Sequence, residues 1–172
     1  MQIQLEEKGD GRKAVQSAKR VGLIAVFVAL SAVGAMIKIP GPLASVALDS
    51  APGFFSALAF GSWEGMAVIA LGHLLTAGLA GFYLTVPVHL AIAGEMAVAA
   101  FAVRWTQRKL GLIPAVIVGV LLNGVAAPFI LWPMGGMAAV LGAMPVLVIG
   151  SGVNLVAAAV VYQALKGTPL IK

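Results

Sequence analysis

Charge is scarce in this chain and cysteine is absent. Of 172 residues, only 10% are Asp, Glu, Lys or Arg, while 61% are hydrophobic. A soluble domain of this size needs far more polar surface. A soluble catalytic module is therefore excluded, and one integral membrane domain is the reading. With no cysteine, no disulfide framework reports on the redox compartment. No G-x-x-x-x-G-K-[ST] run occurs, so the chain hydrolyses no nucleotide by that loop. Gly150-Ser151-Gly152 lacks the G-x-S-x-G form of a nucleophile elbow. No paired carboxylates suggest hydrolysis, and no enzyme is expected. His89 and Glu95 stand six residues apart, about 120° around a helix, so no metal site is expected from that pair.

The basic residues are few but ordered. Ten of the eleven fall in three places: Lys8, Arg12, Lys13, Lys19 and Arg20; then Arg104, Arg108 and Lys109; then Lys166 and Lys172. They flank apolar runs and form no patch with interleaved aromatics, which argues against nucleic acid. Cytoplasmic loops of membrane proteins carry the excess Lys and Arg, so the clusters set a topology. Residues 1–20 form a basic N-terminal segment suited to the membrane surface. The membrane domain covers 21–166. Its first span is Val21–Ile37, within the roughly 17–25 residues that a crossing needs. Pro40 and Pro42 end it, and 38–50 is a loop. Ala51–Gly61 is a short second span. Without it, Arg104, Arg108, Lys109, Lys166 and Lys172 would all lie outside; with it, only Lys38 does. Further spans are expected at Trp63–Ala80, about Thr85–Val103, about Leu112–Trp132 and about Met144–Leu165, with a glycine-rich outer loop over Pro133–Gly142. The expected fold is an all-α six-helix membrane bundle with both termini cytoplasmic.

Polar side chains at membrane depth are costly and usually face the protein interior or a cavity. Here they are His73, Thr76, His89, Glu95, Asn123 and Asn154. At about 1.5 Å of rise per residue, His73, Glu95, Asn123 and Asn154 fall near mid-membrane and His89 about one turn below the outer face. Asp49 in the first outer loop can fold over them, and Tyr83, Phe129 and Trp132 stand at the same mouth. Amides and imidazoles both donate and accept hydrogen bonds, and aromatics offer stacking faces. Such a set suits a neutral polar-aromatic molecule. The same asparagines could instead bond between helices, Asp49 could cap a helix, and Glu95 could be a structural, ligand-accepting or proton-coupling group. Ala25 and Ala29 form a small-xxx-small pair that admits a close helix neighbour.

Three stretches carry a resemblance: Ala29-Leu30-Ser31-Ala32-Val33-Gly34, Ile37-Lys38-Ile39-Pro40, and Ala47-Leu48-Asp49-Ser50-Ala51-Pro52-Gly53-Phe54-Phe55. They resemble the start of the substrate-binding S components of energy-coupling factor (ECF) vitamin transporters, and the fit extends over about residues 19–166. Val46–Phe55, Gly72–Ala77, Pro87-Val88-His89 and Glu95-Met96 look most like the alpha-ribazole S components of cobalamin salvage. The resemblance implies capture of a vitamin at the outer face beneath a lid, here 38–50. It implies docking onto a transmembrane coupling subunit bound to two ATPases, which use the ATP; the chain itself needs no cofactor. It also implies that Ala25 and Ala29 meet the coupling subunit. The expected substrate-binding residues are Asp49, His73, Thr76, Tyr83, His89, Glu95, Asn123, Trp132 and Asn154. Riboflavin is the alternative vitamin, and a proton-coupled carrier acting as a homodimer through Glu95 is the alternative mechanism.

Overall fold

A computed structural model describes residues 2–39 and 46–171, with 2–14, Ile39 and Val46 as backbone only. The lid expected at 38–50 therefore lies partly outside the described residues. Helix α1 runs Gln2–Met36, strands β1 (Lys38–Ile39) and β2 (Val46–Ala47) follow, then α2 (Ala51–Ala59), α3 (Ser62–Leu79) and α4 (Val86–Leu110). Helix α5 (Leu112–Val120) continues through π-helical turns at Leu121–Ala126 and a 3₁₀ segment at Ala127–Leu131 into α6 (Trp132–Leu165). The two strands pair antiparallel, Lys38 opposite Ala47 and Ile39 opposite Val46.

Among the described residues, three helical stretches are long and apolar enough to cross a membrane: Val15–Met36, Val86–Leu110 and Leu112–Leu165. The last has 54 residues, about twice a single crossing. It breaks at Gly135 (φ −160°, ψ 20°) and Gly136 (φ 60°, ψ −150°). Helix α2 has 9 residues, about half of what a crossing needs.

One expectation is corrected. The outer loop at Pro133–Gly142 shrinks to the Gly135–Gly136 break. Ala138, Ala139 and Leu141 are strong helix formers, and only Gly136 takes the left-handed backbone that favours glycine. The N-terminal segment 1–20 is helical from Gln2 and continuous with the first span. Its Gln, Glu, Lys, Arg and Ala residues favour helix as much as the apolar run does.

The core forms where α2 sinks between α3, α4 and α6. Phe54, Leu58, Ile69, Ala99, Val103 and Leu155 are buried there. Helices in lipid associate through close packing rather than water exclusion, and glycines make that possible. A Cβ on Gly53 would collide with Ile69, and one on Gly65 with Ala57. Phe27, Phe55 and Phe60 stack or meet edge-on, 5.4–5.7 Å between centroids. Away from the loop, an Arg104 guanidinium nitrogen donates to the Leu58 carbonyl near the end of α2, a cation where the helix dipole favours one. Arg20 of α1 pairs with Glu64 of α3.

Candidate functional site

At the loop end a cavity of about 440 Å³ opens between α3, α4, the π and 3₁₀ segments and α6. Such a volume suits a small organic ligand. Its roof is the junction of β2 and α2, where Ala47, Asp49 and Ser50 line it. That junction is tied down twice. The Leu48 N–H donates to the Gly34 carbonyl at 3.0 Å. Asn154 of α6 does the rest. Its Oδ1 accepts from the Ser50 and Ala51 N–H groups at 3.2 and 2.8 Å. Its Nδ2 donates to the Ala47 and Gly150 carbonyls at 2.8 and 2.9 Å. A primary amide has two donors and two acceptor sites, so Asn154 is fully used by the protein. Ser50 occupies the N-cap of α2 without a side-chain cap bond; the cap comes from Asn154, 104 residues further along the chain.

The opposite wall is an imidazole pair. His73 of α3 and His89 of α4 lie 3.2 Å apart, Nε2 to Nδ1. His89 is 2% exposed. Phe82 and Tyr83, in the turn joining α3 to α4, meet the His89 ring edge-on at 5.6 and 5.3 Å. The turn holds them through backbone at positive φ, 48° at Phe82 and 75° at Thr85, a conformation uncommon outside glycine. His89 Nε2 is buried and has no hydrogen-bond partner among the described residues. A buried polar atom without a partner is costly, and this one belongs to a cavity wall.

The third side comes from the π-helical turns. Asn123 Nδ2 donates to Ser151 Oγ of α6 at 2.9 Å. Pro128 near the start of the 3₁₀ segment has no N–H to continue the helical ladder. The regular pattern gives way around it, as often happens at functional sites. Ile92 and Met96, on the His89 face of α4, and Leu131 and Val146 complete an apolar lining.

Of the expected residues, Asp49, His73, Tyr83, His89, Asn123 and Asn154 line this cavity, whereas Thr76, Glu95 and Trp132 do not. Thr76 spends its hydroxyl on the His73 carbonyl at 3.0 Å. Trp132 is half exposed. Glu95 sits off the face that carries His89, Ile92 and Met96, and its Oε2 is buried without a partner among the described residues. Burial raises the Asp49 pKa, opposed by the nearby N–H groups of Asp49 and Ser50. Among the described residues no three His, Cys, Asp or Glu side chains group as metal ligands. Ser151 is the polar wall residue that residue-type reasoning passed over. Its position three before Asn154 puts both on one helix face.

A search of curated proteins returns no match. A solved structure of the S component of a bacterial ECF transporter shares this fold, with TM-score 0.70, 20% identity, and coverage of 87% of this chain and 96% of that one. Residues 19–168 match the family "ECF transporter, substrate-specific component". The apolar helices, the fold and that match together place the chain in the S-component family of ECF transporters, membrane-embedded subunits that bind a transported substrate and are not enzymes.

Proposed function

We propose that this chain captures a vitamin or vitamin precursor from the outer face of the cell membrane for an ECF-type importer, with alpha-ribazole the first candidate and riboflavin the second. In this reading the helices make six spans, with α2 a short one and α6 crossing after its glycine break. Both termini are cytoplasmic. A coupling subunit docks near Ala25 and Ala29, which are exposed on α1, and two ATPases supply the power; the chain itself carries no cofactor.

The observation that carries the reading is the cavity beneath residues 47–50. It gathers Asp49, His73, Tyr83, His89 and Asn123 from elements far apart in sequence. Aromatic edges with imidazole and amide groups suit a ring joined to a polyol, which both candidates have. Whole cobalamin, many times larger than a single nucleoside, exceeds about 440 Å³. The test is titration of the purified chain with alpha-ribazole, riboflavin, cobalamin and pantothenate. Submicromolar binding of alpha-ribazole or riboflavin is expected, and absence of such binding to every vitamin refutes the reading.

The Glu95 Oε2 atom, buried and without a partner among the described residues, favours one second reading, a proton-coupled carrier working as a homodimer. Uptake into liposomes containing only this chain under a pH gradient, abolished by Glu95→Gln, would establish it.

A further inference from the structure

Among the described residues the cavity wall carries no permanent cation. No Lys or Arg lines it. Ten of the eleven basic residues belong to the three clusters already described, and residues 40–45 of the loop, Pro-Gly-Pro-Leu-Ala-Ser, contain none. Lys38 remains at this end, exposed on β1 and not part of the wall. A helix N-terminus is the usual substitute for a cation. At the roof it is that of α2, whose Ser50 and Ala51 N–H groups already bond Asn154 Oδ1; α4 starts beside the wall residues Tyr83 and Leu84, with Pro87 removing one N–H from its first turn. The ionisable acid on the wall is Asp49.

We propose that the site selects by charge: it admits uncharged ligands and rejects their phosphorylated or carboxylated counterparts, with Asp49 as the residue that sharpens the rejection. This rests on the ligand-capture reading above and adds a rule about what is captured. An anion here would lose its hydration without gaining a cationic partner and would face the Asp49 carboxyl. Uncharged hydroxyls and ring nitrogens face a smaller penalty, because the Asn123–Ser151 pair on the wall can bond them. Specificity through an unpaired charge is an effective way to exclude a close analogue. The substrate class is then a ring-bearing alcohol or nucleoside rather than its phosphate ester. Import of such a compound requires that any phosphate be removed beforehand, by a hydrolytic reaction outside the cell.

The test is matched pairs against the full chain in detergent: alpha-ribazole and its 5′-phosphate, riboflavin and its 5′-phosphate, pantothenol and pantothenate. Affinities come from calorimetry, with thermal shift as a second readout. The uncharged member of at least one pair should bind about a hundredfold or more tightly than its anion, as several kcal/mol of like-charge and desolvation cost requires. Asp49→Asn should narrow that ratio about tenfold. Independently, Leu84→Lys adds a cation to the cavity wall and should recover binding of the phosphate. An anion binding within tenfold of its uncharged partner overturns the charge rule but leaves ligand capture standing. No binding by any uncharged or anionic member overturns both. A ratio unmoved by both variants overturns the role of the cavity's charge.

Discussion

Two hollows of similar size differ in everything else. The loop-end cavity of about 440 Å³ holds imidazole, amide, hydroxyl and carboxyl groups. A groove of about 600 Å³ between α1, α2 and α6 is walled by Leu23, Phe27, Leu30, Pro52, Phe55 and other apolar side chains. The larger space offers packing without direction and suits acyl chains or an apolar helix. The smaller offers directional partners, so it can tell one small molecule from another. Volume therefore does not identify the ligand site; the placement of scarce polar atoms does. Within the cavity the same contrast recurs. Asn154 has every hydrogen bond filled, while His89 Nε2 has no partner among the described residues, so the first holds the roof and the second does not.

That contrast can be broken by substitution. The largest effect is expected from Asn154→Leu. It strands the Ser50 and Ala51 N–H groups and the Ala47 carbonyl, each costing about 1–3 kcal/mol when buried. Thermal unfolding in detergent should show a loss of at least about 3 kcal/mol, with ligand affinity falling as well. Next is His89→Ala, which should weaken ligand binding by about 1–3 kcal/mol, roughly five- to 150-fold, with circular dichroism unchanged. Equal destabilisation by the two substitutions would erase the distinction between holder and binder. Asn123→Ala should cost about 1 kcal/mol of binding, measurable as roughly fivefold in Kd.

Asp49 provides a pH test. Its folded pKa is raised by burial, so the folded state holds the proton more tightly than the unfolded chain does. Its stabilising contribution is full below the ordinary carboxylate pKa and is lost as pH rises through the raised value. Asp49→Asn should flatten the apo protein's stability against pH just above the ordinary carboxylate range. An unchanged slope would show that the carboxylate is as well solvated folded as unfolded. The smallest effect on binding is expected on the exposed face of α1, outside both hollows. Ala25→Leu with Ala29→Leu should leave the isolated chain's affinity unchanged, yet lower uptake by the assembled importer. Loss of affinity in the isolated chain would show that this face is coupled to the cavity.

Much was legible before folding. The bounds of α3 and the starts of α4 and α5 follow from the apolar runs and the residues that interrupt them, whereas α4 runs on past the expected Val103 to Leu110 and regular α-helix ends at Val120 in α5. The 120° offset of Glu95 from His89, which argues against a shared metal site, also accounts for its place off the wall, because helix periodicity is local. The offset of Ser151 from Asn154 held the same kind of information. Thr76 and Trp132 lie outside the wall, because a residue's depth along a helix does not say which way its face turns. The Pro133–Gly142 loop was inferred from glycine content, although the conformation there depends on two residues.

The chain by itself determined the membrane environment, the helical runs, the shortage of cations at the loop end and the small set of polar residues available to a ligand. These are matters of composition and of periodicity over a few turns. Folding alone decided which of those residues are neighbours. Asn154 meets Ser50 and His73 meets His89 only after α3, α4 and α6 pack around α2, since contacts spanning up to 107 residues depend on helix rotation and crossing, and no local pattern specifies either.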